Sequence, residues 1–185
     1  MKFESIETRR LRLIRLSPDD MKYIFQNRTK SEIKKILGHR SEEDYLNEES
    51  KHKNGYSSYN RSFILFLLTD KESDTIIGRC GLHNWNVEHK RAEIGYTIDD
   101  ENYKRKGFMT EAISAILNYG FKKMNLNRIE ALVGIGNIPS LRLMEKYNFK
   151  KEGVLRQHFV VSGNYEDSVM FSKLYYEFTN DKAKE

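Results

Sequence analysis

The sequence predicts an α/β (α+β) fold in one domain: a mixed, mostly antiparallel central sheet of about seven strands with helices on both faces. Three observations predict it. The chain has 185 residues, the size of one domain with one sizeable core. Its composition is that of a folded globule with a wetted surface, 38% hydrophobic and 12% aromatic against 32% charged. Short β-type runs alternate with helical periods throughout, with no repeat, low-complexity tract or linker. The domain is taken as 1–185, with its core at 7–178 and a tail at 179–185 expected to fray.

In order, residues 10–16 alternate charged and apolar side chains around Leu11 and Leu13, a first strand. Ser17-Pro18 starts a helix, with serine at the cap and proline at the first helical position, and Met21, Ile24 and Phe25 give its apolar face. A second helix over 31–37 stops at Gly38. Ser41 opens a third, with Glu42, Glu43 and Asp44 favouring its positive end. The stretch up to 60 is the least regular part of the chain. Strands over 63–69 and 75–85 form a hairpin through the polar turn 70–74. Residues 86–90 turn into a strand at 92–98, and 99–102 is a polar turn. From Phe108 the positions Ile113, Ile116, Leu117, Gly120, Phe121 and Met124 keep a helical period. Alternating Ile129, Ala131, Val133 and Ile135 mark the strand 127–135, and 139–147 is a short helix. Strands over 151–161 and 167–176 close the fold through Ser162-Gly163-Asn164.

Composition excludes several classes of function. The net charge of +5 fits a soluble basic surface, an anionic ligand, or a partner lying near RNA. No basic block or aromatic-interleaved basic stripe argues for direct nucleic-acid binding. Cys80 stands alone, which rules out internal disulfides and multi-cysteine metal sites. His39, His52, His83, His89 and His158 show no metal-ligand spacing, so no metal is expected. The longest apolar run, 63–68, is too short for a membrane, and the first ten residues lack an apolar signal core. The expected location is a reducing cytoplasm.

The most informative stretch is 92–110, AEIGYTIDDENYKRKGFMT. A strand, a basic loop containing Gly107, and a helix start make an anion site. The first-turn N–H groups there have no intrahelical partner and carry the positive end of the helix dipole. Glycine lets a phosphate approach the backbone.

Residues 104–112, KRKGFMTEA, resemble the acetyl-CoA signature of the GNAT N-acetyltransferases, Q/R-x-x-G-x-G/A. Asn137-Ile138-Pro139-Ser140 with Glu145-Lys146-Tyr147-Asn148-Phe149 resembles their second motif, N-x-x-S followed by E-K-x-G-F. Glu7-Thr8-Arg9-Arg10-Leu11 resembles the E-T-x-R-L opening of the branch that acetylates N-termini of ribosomal proteins. Three motifs in order cover nearly the whole chain, about 7–178. Lys104, Arg105, Met109 and Asn148 depart from the pattern. Backbone amides do most of the pyrophosphate binding in the family, and asparagine is the next-best residue after glycine for a left-handed helix end.

The resemblance implies acetyl-CoA as co-substrate and direct attack by a primary amine in a ternary complex. Amides of Arg105, Lys106, Gly107, Phe108, Met109 and Thr110, with the Thr110 hydroxyl, would take the pyrophosphate. Lys104, Arg105 and Lys106 either approach the phosphates on the adenosine side or stay solvated. The pantetheine arm would pair along Tyr96, Thr97 and Ile98 as an added strand does. Asn137 either ties the cofactor amide or only caps its helix. Glu93, a carboxylate in an apolar strand, either takes the amine proton or orients the acceptor. The wider superfamily often protonates the leaving thiolate with a tyrosine where this chain has Met144. Ser140, one turn earlier, is the expected acid, with Tyr147 in reserve. Trp85, His83 and the Tyr56/Tyr59 region are candidate walls of the acceptor pocket. The acceptor itself, a protein N-terminus or a small amine (polyamine, amino acid or aminoglycoside), is not legible, nor is the choice between monomer and homodimer. Two other classes stand beside the enzyme. One is a low-turnover CoA-binding sensor or interaction module, and the other a basic RNA-associated protein.

Overall fold

The structure is a computed structural model that describes residues 3–58 and 61–182. Its strands are β1 (Ser5–Glu7), β2 (Leu11–Leu16), β3 (Ser62–Asp70), β4 (Ile76–Asn86), β5 (Arg91–Ile98), β6 (Arg128–Gly134), β7 (Lys150–Val161) and β8 (Asn164–Leu174). Its helices are α1 (Pro18–Asn27), α2 (Lys30–Leu37), α3 (Glu42–Asn54), α4 (Phe108–Lys122), α5 (Ile138–Lys146) and α6 (Tyr175–Lys182). The eight strands form one sheet in the order β1-β2-β3-β4-β5-β6-β8-β7. Every neighbouring pair is antiparallel except β5–β6, which α4 connects as a crossover.

The three N-terminal helices start as their sequences direct. Ser17 with Asp20, Thr29 with Glu32, and Ser41 with Asp44 each form a reciprocal capping box, satisfying two orphan donors per helix. These helices cover one face of the sheet around Leu16, Met21, Ile24, Ile33, Leu37 and Leu67. Helices α4, α5 and α6 contribute to a second core on the other face, which includes Phe66, Leu82, Ile94, Ile116, Phe121 and Met144. β3 serves both cores: Phe66 and Leu68 point one way and Leu67 the other. That explains its unbroken apolar run, since a strand buried on both faces need not alternate.

The mixed, mostly antiparallel sheet is the one expected, with eight strands against about seven because the short Ser5–Glu7 pairs with β2 at Ser5↔Ile14 and Glu7↔Arg12. One expectation is corrected. The last strand ends at Leu174, and residues 175–182 form a helix where a strand end and a frayed tail were expected. Phe178 accounts for it: its ring stacks on Phe121 with centroids 4.9 Å apart, while Glu177 accepts from the Leu174 N–H at 2.9 Å and so starts the turn. Residues 183–185 lie outside the described residues.

Candidate active site

β5 is paired with β4 from Arg91 to Ile98, and β6 is paired with β8 from Arg128 to Gly134. Between β5 and β6, pairing stops after Glu93↔Glu130. Each outer neighbour carries its strand away with its own twist, so the two part. Beyond Glu93 the β5 backbone therefore has β4 on one side and no strand on the other. The gap is a cleft of about 180 Å³, and Glu93, Gly95, Tyr96, Asn137 and Ser140 line it. A larger groove of 640 Å³ between β1 and α4 contains none of the predicted site residues.

The pleat of β5 gives the cleft two chemically different faces. Ala92, Ile94, Tyr96 and Ile98 point to the core under α4 and α5. On that side the Tyr96 hydroxyl is sealed from solvent, and among the described residues no group meets it in full hydrogen-bond geometry. Burial pushes its phenol up, and the hydroxyl of nearby Ser140 works the other way. Both groups thus keep their protons at neutral pH and are donors. Asn137 caps α5, its Oδ1 accepting from the Ser140 N–H at 3.2 Å, which sets Ser140 at the cleft wall.

Glu93 and Gly95 face the other way. Glu93 is directly opposite His83 on β4. Its Oε1 lies 3.2 Å from His83 Nε2, and its Oε2 accepts from Asn84 Nδ2 at 3.0 Å. Burial pushes the Glu93 carboxyl up, but His83, Asn84 and the more distant His158 outweigh it and hold it below the ordinary carboxylate range. The carboxylate that looked isolated in an apolar strand is ionised and paired. The His83 ring lies over Gly95, where a Cβ would meet its Cε1 at 2.8 Å and Nδ1 at 3.2 Å. Only glycine leaves that space.

Beyond the free end of β5, the loop places Arg105 (φ 59°) and Gly107 (φ 80°) in the left-handed region. Gly107 caps α4 without a side-chain hydrogen bond, so the amides of the first turn stay open. A Cβ at Gly107 would meet only Arg10 Nη2, at 3.5 Å. Lys104 is paired with Glu101, whereas Arg105 and Lys106 are exposed. Phe108 is buried and Met109 packs against the core, so of these two only the backbone is offered to a ligand. Thr97 is exposed and Ile98 packs inward, at the end of β5 nearest this loop.

The site contains a cation that sequence reasoning did not assign. The Arg10 guanidinium lies 4.1 Å from the Phe108 ring centroid and donates to the Lys106 carbonyl at 2.9 Å. It is fixed by Glu111 in the first turn of α4. Glu111 accepts from Arg10 Nε at 2.8 Å, and from the Arg10 N–H and the Thr8 hydroxyl at 2.6 Å each. Burial pushes the Glu111 carboxyl up, but the Thr8 and Arg10 bonds prevail and keep it low. The opening Thr8-x-Arg10-Leu11 is therefore a clamp on the start of α4. Its spacing in the sequence was the one signal available.

Other candidates are resolved by burial. Met144 is fully buried in the main core, so a phenol at that position would overfill it. The Tyr147 hydroxyl donates to the Thr110 carbonyl, bracing the first turn of α4 instead of entering the cleft. Trp85 packs against the main core and Tyr56 against the smaller one, while His83 lies against Glu93 and Gly95 of the cleft; Tyr59 lies outside the described residues. Cys80 is fully buried, and burial pushes its thiol up. Among the described residues no three metal-binding side chains cluster, and no helix is long and apolar enough to cross a membrane.

Comparison with known proteins agrees with this geometry. Residues 10–150 match the model of the acetyltransferase (GNAT) domain. The uncharacterized N-acetyltransferase p20 of Bacillus licheniformis is 43% identical over 61% of the chain, a match spanning 63% of its own length. The uncharacterized N-acetyltransferase YoaA of Bacillus subtilis is 34% identical over 92% of the chain and 96% of its own. Spermidine N(1)-acetyltransferase of Vibrio cholerae is 30% identical over 65% of the chain and 66% of its own. A solved structure of the spermidine/spermine N-acetyltransferase SpeG from that organism shares the fold, with a TM-score of 0.70 at 24% identity, covering 95% of this chain and 99% of that one. Where a strand parts from its parallel neighbour over a glycine loop, and model and relatives cover most of the sequence, one conclusion remains: the chain belongs to the GNAT N-acetyltransferases.

Proposed function

We propose that the protein moves the acetyl group of acetyl-CoA to a primary amine by direct attack in a ternary complex, with a protein N-terminal amine as acceptor. The observation that carries this reading is the two-faced cleft, with an ionised carboxylate on one side of β5 and two protonated hydroxyls on the other. An amine enters as a cation and must lose a proton, and a thiolate leaves as an anion and must gain one. The cleft offers the matching charge on each side.

The residues present fit acetyl-CoA. The free edge of β5 suits an extended amide-bearing arm, and the left-handed loop with open first-turn amides suits a pyrophosphate. Thr97 and Ile98 carry the arm by their backbone, residues 105–110 take the phosphates, and Arg10 adds a fixed positive charge beside them. Glu93 draws the ammonium in. The amine attacks the thioester carbon, the C–S electron pair goes to sulfur, and Ser140 supplies the proton. Asn137 holds Ser140 in place by capping α5.

One observation favours a small acceptor instead. The Vibrio cholerae relative is named for spermidine, and a buried ionised carboxylate also suits a polyamine. A panel of N-terminal peptides, polyamines, amino acids and aminoglycosides, read by released thiol, tests both. Turnover of peptides alone supports the proposal, and turnover of spermidine alone replaces it with the second reading. Tight acetyl-CoA binding with no thiol release across the panel would leave a CoA-binding sensor.

A further inference from the structure

We infer that His83 is the base that deprotonates the acceptor amine, with Glu93 as the positioning residue behind it. The inference rests on the acetyltransferase reading above and names a catalytic group within it. A carboxylate only accepts hydrogen bonds, so the imidazole nitrogen facing it must be N–H. At 3.2 Å from Glu93 Oε1, that nitrogen is Nε2. In the neutral ring the lone pair is therefore on Nδ1, the nitrogen a Cβ at Gly95 would meet at 3.2 Å. Gly95 lines the cleft, so the lone pair lies over the strand along which the thioester would run. The His83 side chain is 44% exposed and open to an incoming amine, while that of Glu93 is 16% exposed behind it.

The alternative, Glu93 acting directly, is weaker on chemical grounds. Each of its two oxygens already faces a partner, Oε1 the His83 ring and Oε2 the Asn84 amide. The same contacts lower its affinity for a proton. An imidazole held in one tautomer by a carboxylate is the usual base for work near neutral pH. Among the described residues the ionisable group in contact with His83 is Glu93 on β5; His158 on β7 acts on Glu93 and lies 3.3 Å from Ser168 Oγ. In the step itself His83 Nδ1 takes one proton from the ammonium, and the freed lone pair forms the C–N bond. The C–S bond breaks toward sulfur, which takes the Ser140 proton. A second proton from nitrogen restores Ser140 through solvent, the third stays as the N–H of the product amide, and His83 returns its own proton to solvent.

The test is the pH dependence of kcat/KM in wild type, His83→Gln and Glu93→Gln, with acetyl-CoA affinity and melting temperature measured on each. A wild type that transfers no acetyl group would defeat the parent reading and leave nothing for a base to do. Given turnover, His83→Gln is expected to lose about 10²–10⁴-fold in kcat/KM at neutral pH and to lose the acid limb of the profile. Glu93→Gln should lose less, about 10-fold, and keep an acid limb. Added imidazole should restore part of the rate in His83→Ala and none in Glu93→Gln. Persistence of the limb in His83→Gln together with its loss in Glu93→Gln would overturn the assignment and make Glu93 the base. Failure of imidazole rescue, with His83→Gln within 3-fold of wild type, would reduce His83 to a wall residue.

Discussion

The two ends of the site are built by different means. At the proposed phosphate end, binding would rest on the backbone: left-handed residues at 105 and 107 and an uncapped first turn, with one guanidinium held by Glu111. At the reacting end, everything depends on side chains, His83 and Glu93 on one face of β5 and Tyr96 and Ser140 on the other. The lesson is that side-chain identity is free to drift in the loop, and Lys104, Arg105 and Met109 have departed from the family signature there. At the cleft each side chain has a proton or a charge to manage. Substitutions at the first end should change affinity, and those at the second should change turnover.

The sharpest way to break this division is at Gly107. Gly107→Glu puts a side chain at a positive-φ position and a carboxylate beside the open amides. It should abolish the rise in melting temperature that acetyl-CoA gives wild type by mass action. Retention of wild-type affinity in that variant would show that the loop does not bind the phosphates.

Next in size is the clamp. Glu111→Ala removes three hydrogen bonds from Thr8 and Arg10 and should cost about 1–3 kcal/mol of stability, together with some acetyl-CoA affinity. The carboxyl is lower in the folded state than in the unfolded chain, so its contribution is complete above the unfolded value of ~4.3 and fades as pH falls through the folded one. The stability difference between wild type and Glu111→Ala, followed by denaturant melts, should therefore close below about pH 4. A difference that held constant down to pH 3 would mean the charge is irrelevant.

The remaining two sharpen the reacting end. Ser140→Ala should lower kcat about 10-fold and leave acetyl-CoA affinity nearly unchanged, because a thiolate of ordinary pKa ~8.5 is a fair leaving group even without an acid. An unchanged kcat would leave water as the proton donor. Tyr96→Phe removes a buried hydroxyl beside Ser140 and should lower kcat only a few fold, ~2–5, in wild type. The effect should vanish in the Ser140→Ala background if the phenol acts by orienting Ser140. An equal loss in both backgrounds would separate the two hydroxyls.

Local order was legible wherever one side chain decides it. Ser17 and Ser41 start helices as predicted, and Asn148 takes the left-handed position after α5 at φ 52°. Glu93 and Ser140 stood out as candidates because a carboxylate in a strand and a serine in N-x-x-S are conspicuous, and both line the cleft. What escaped is long-range. The partnership of His83 with Glu93 depends on a register interrupted by an irregularity between His83 and Asn86, which no residue in the turn announces. The Arg10–Glu111 pair joins residues a hundred positions apart. The start of α6 was read as the end of a strand because Tyr175 and Tyr176 favour strands locally, and the packing of Phe178 on Phe121 overrides that preference. Ser5–Glu7 has a single apolar side chain and too little length to show a period.

The parting of β5 from β6 has a further consequence for how protection is distributed through the sheet. A strand in the middle of eight would ordinarily hold its amide hydrogens against solvent exchange for as long as the domain stays closed. Beyond Glu93, the amides of β5 that point toward β6 have no strand to hold them, so they should exchange with water as loop amides do, beside neighbours on the β4 side that scarcely exchange at all. An extended ligand seated in the gap would act as the missing strand, and those few amides alone should slow by orders of magnitude. Among the described residues, the centre of the sheet is thus a place where a strand edge is left open to an extended ligand.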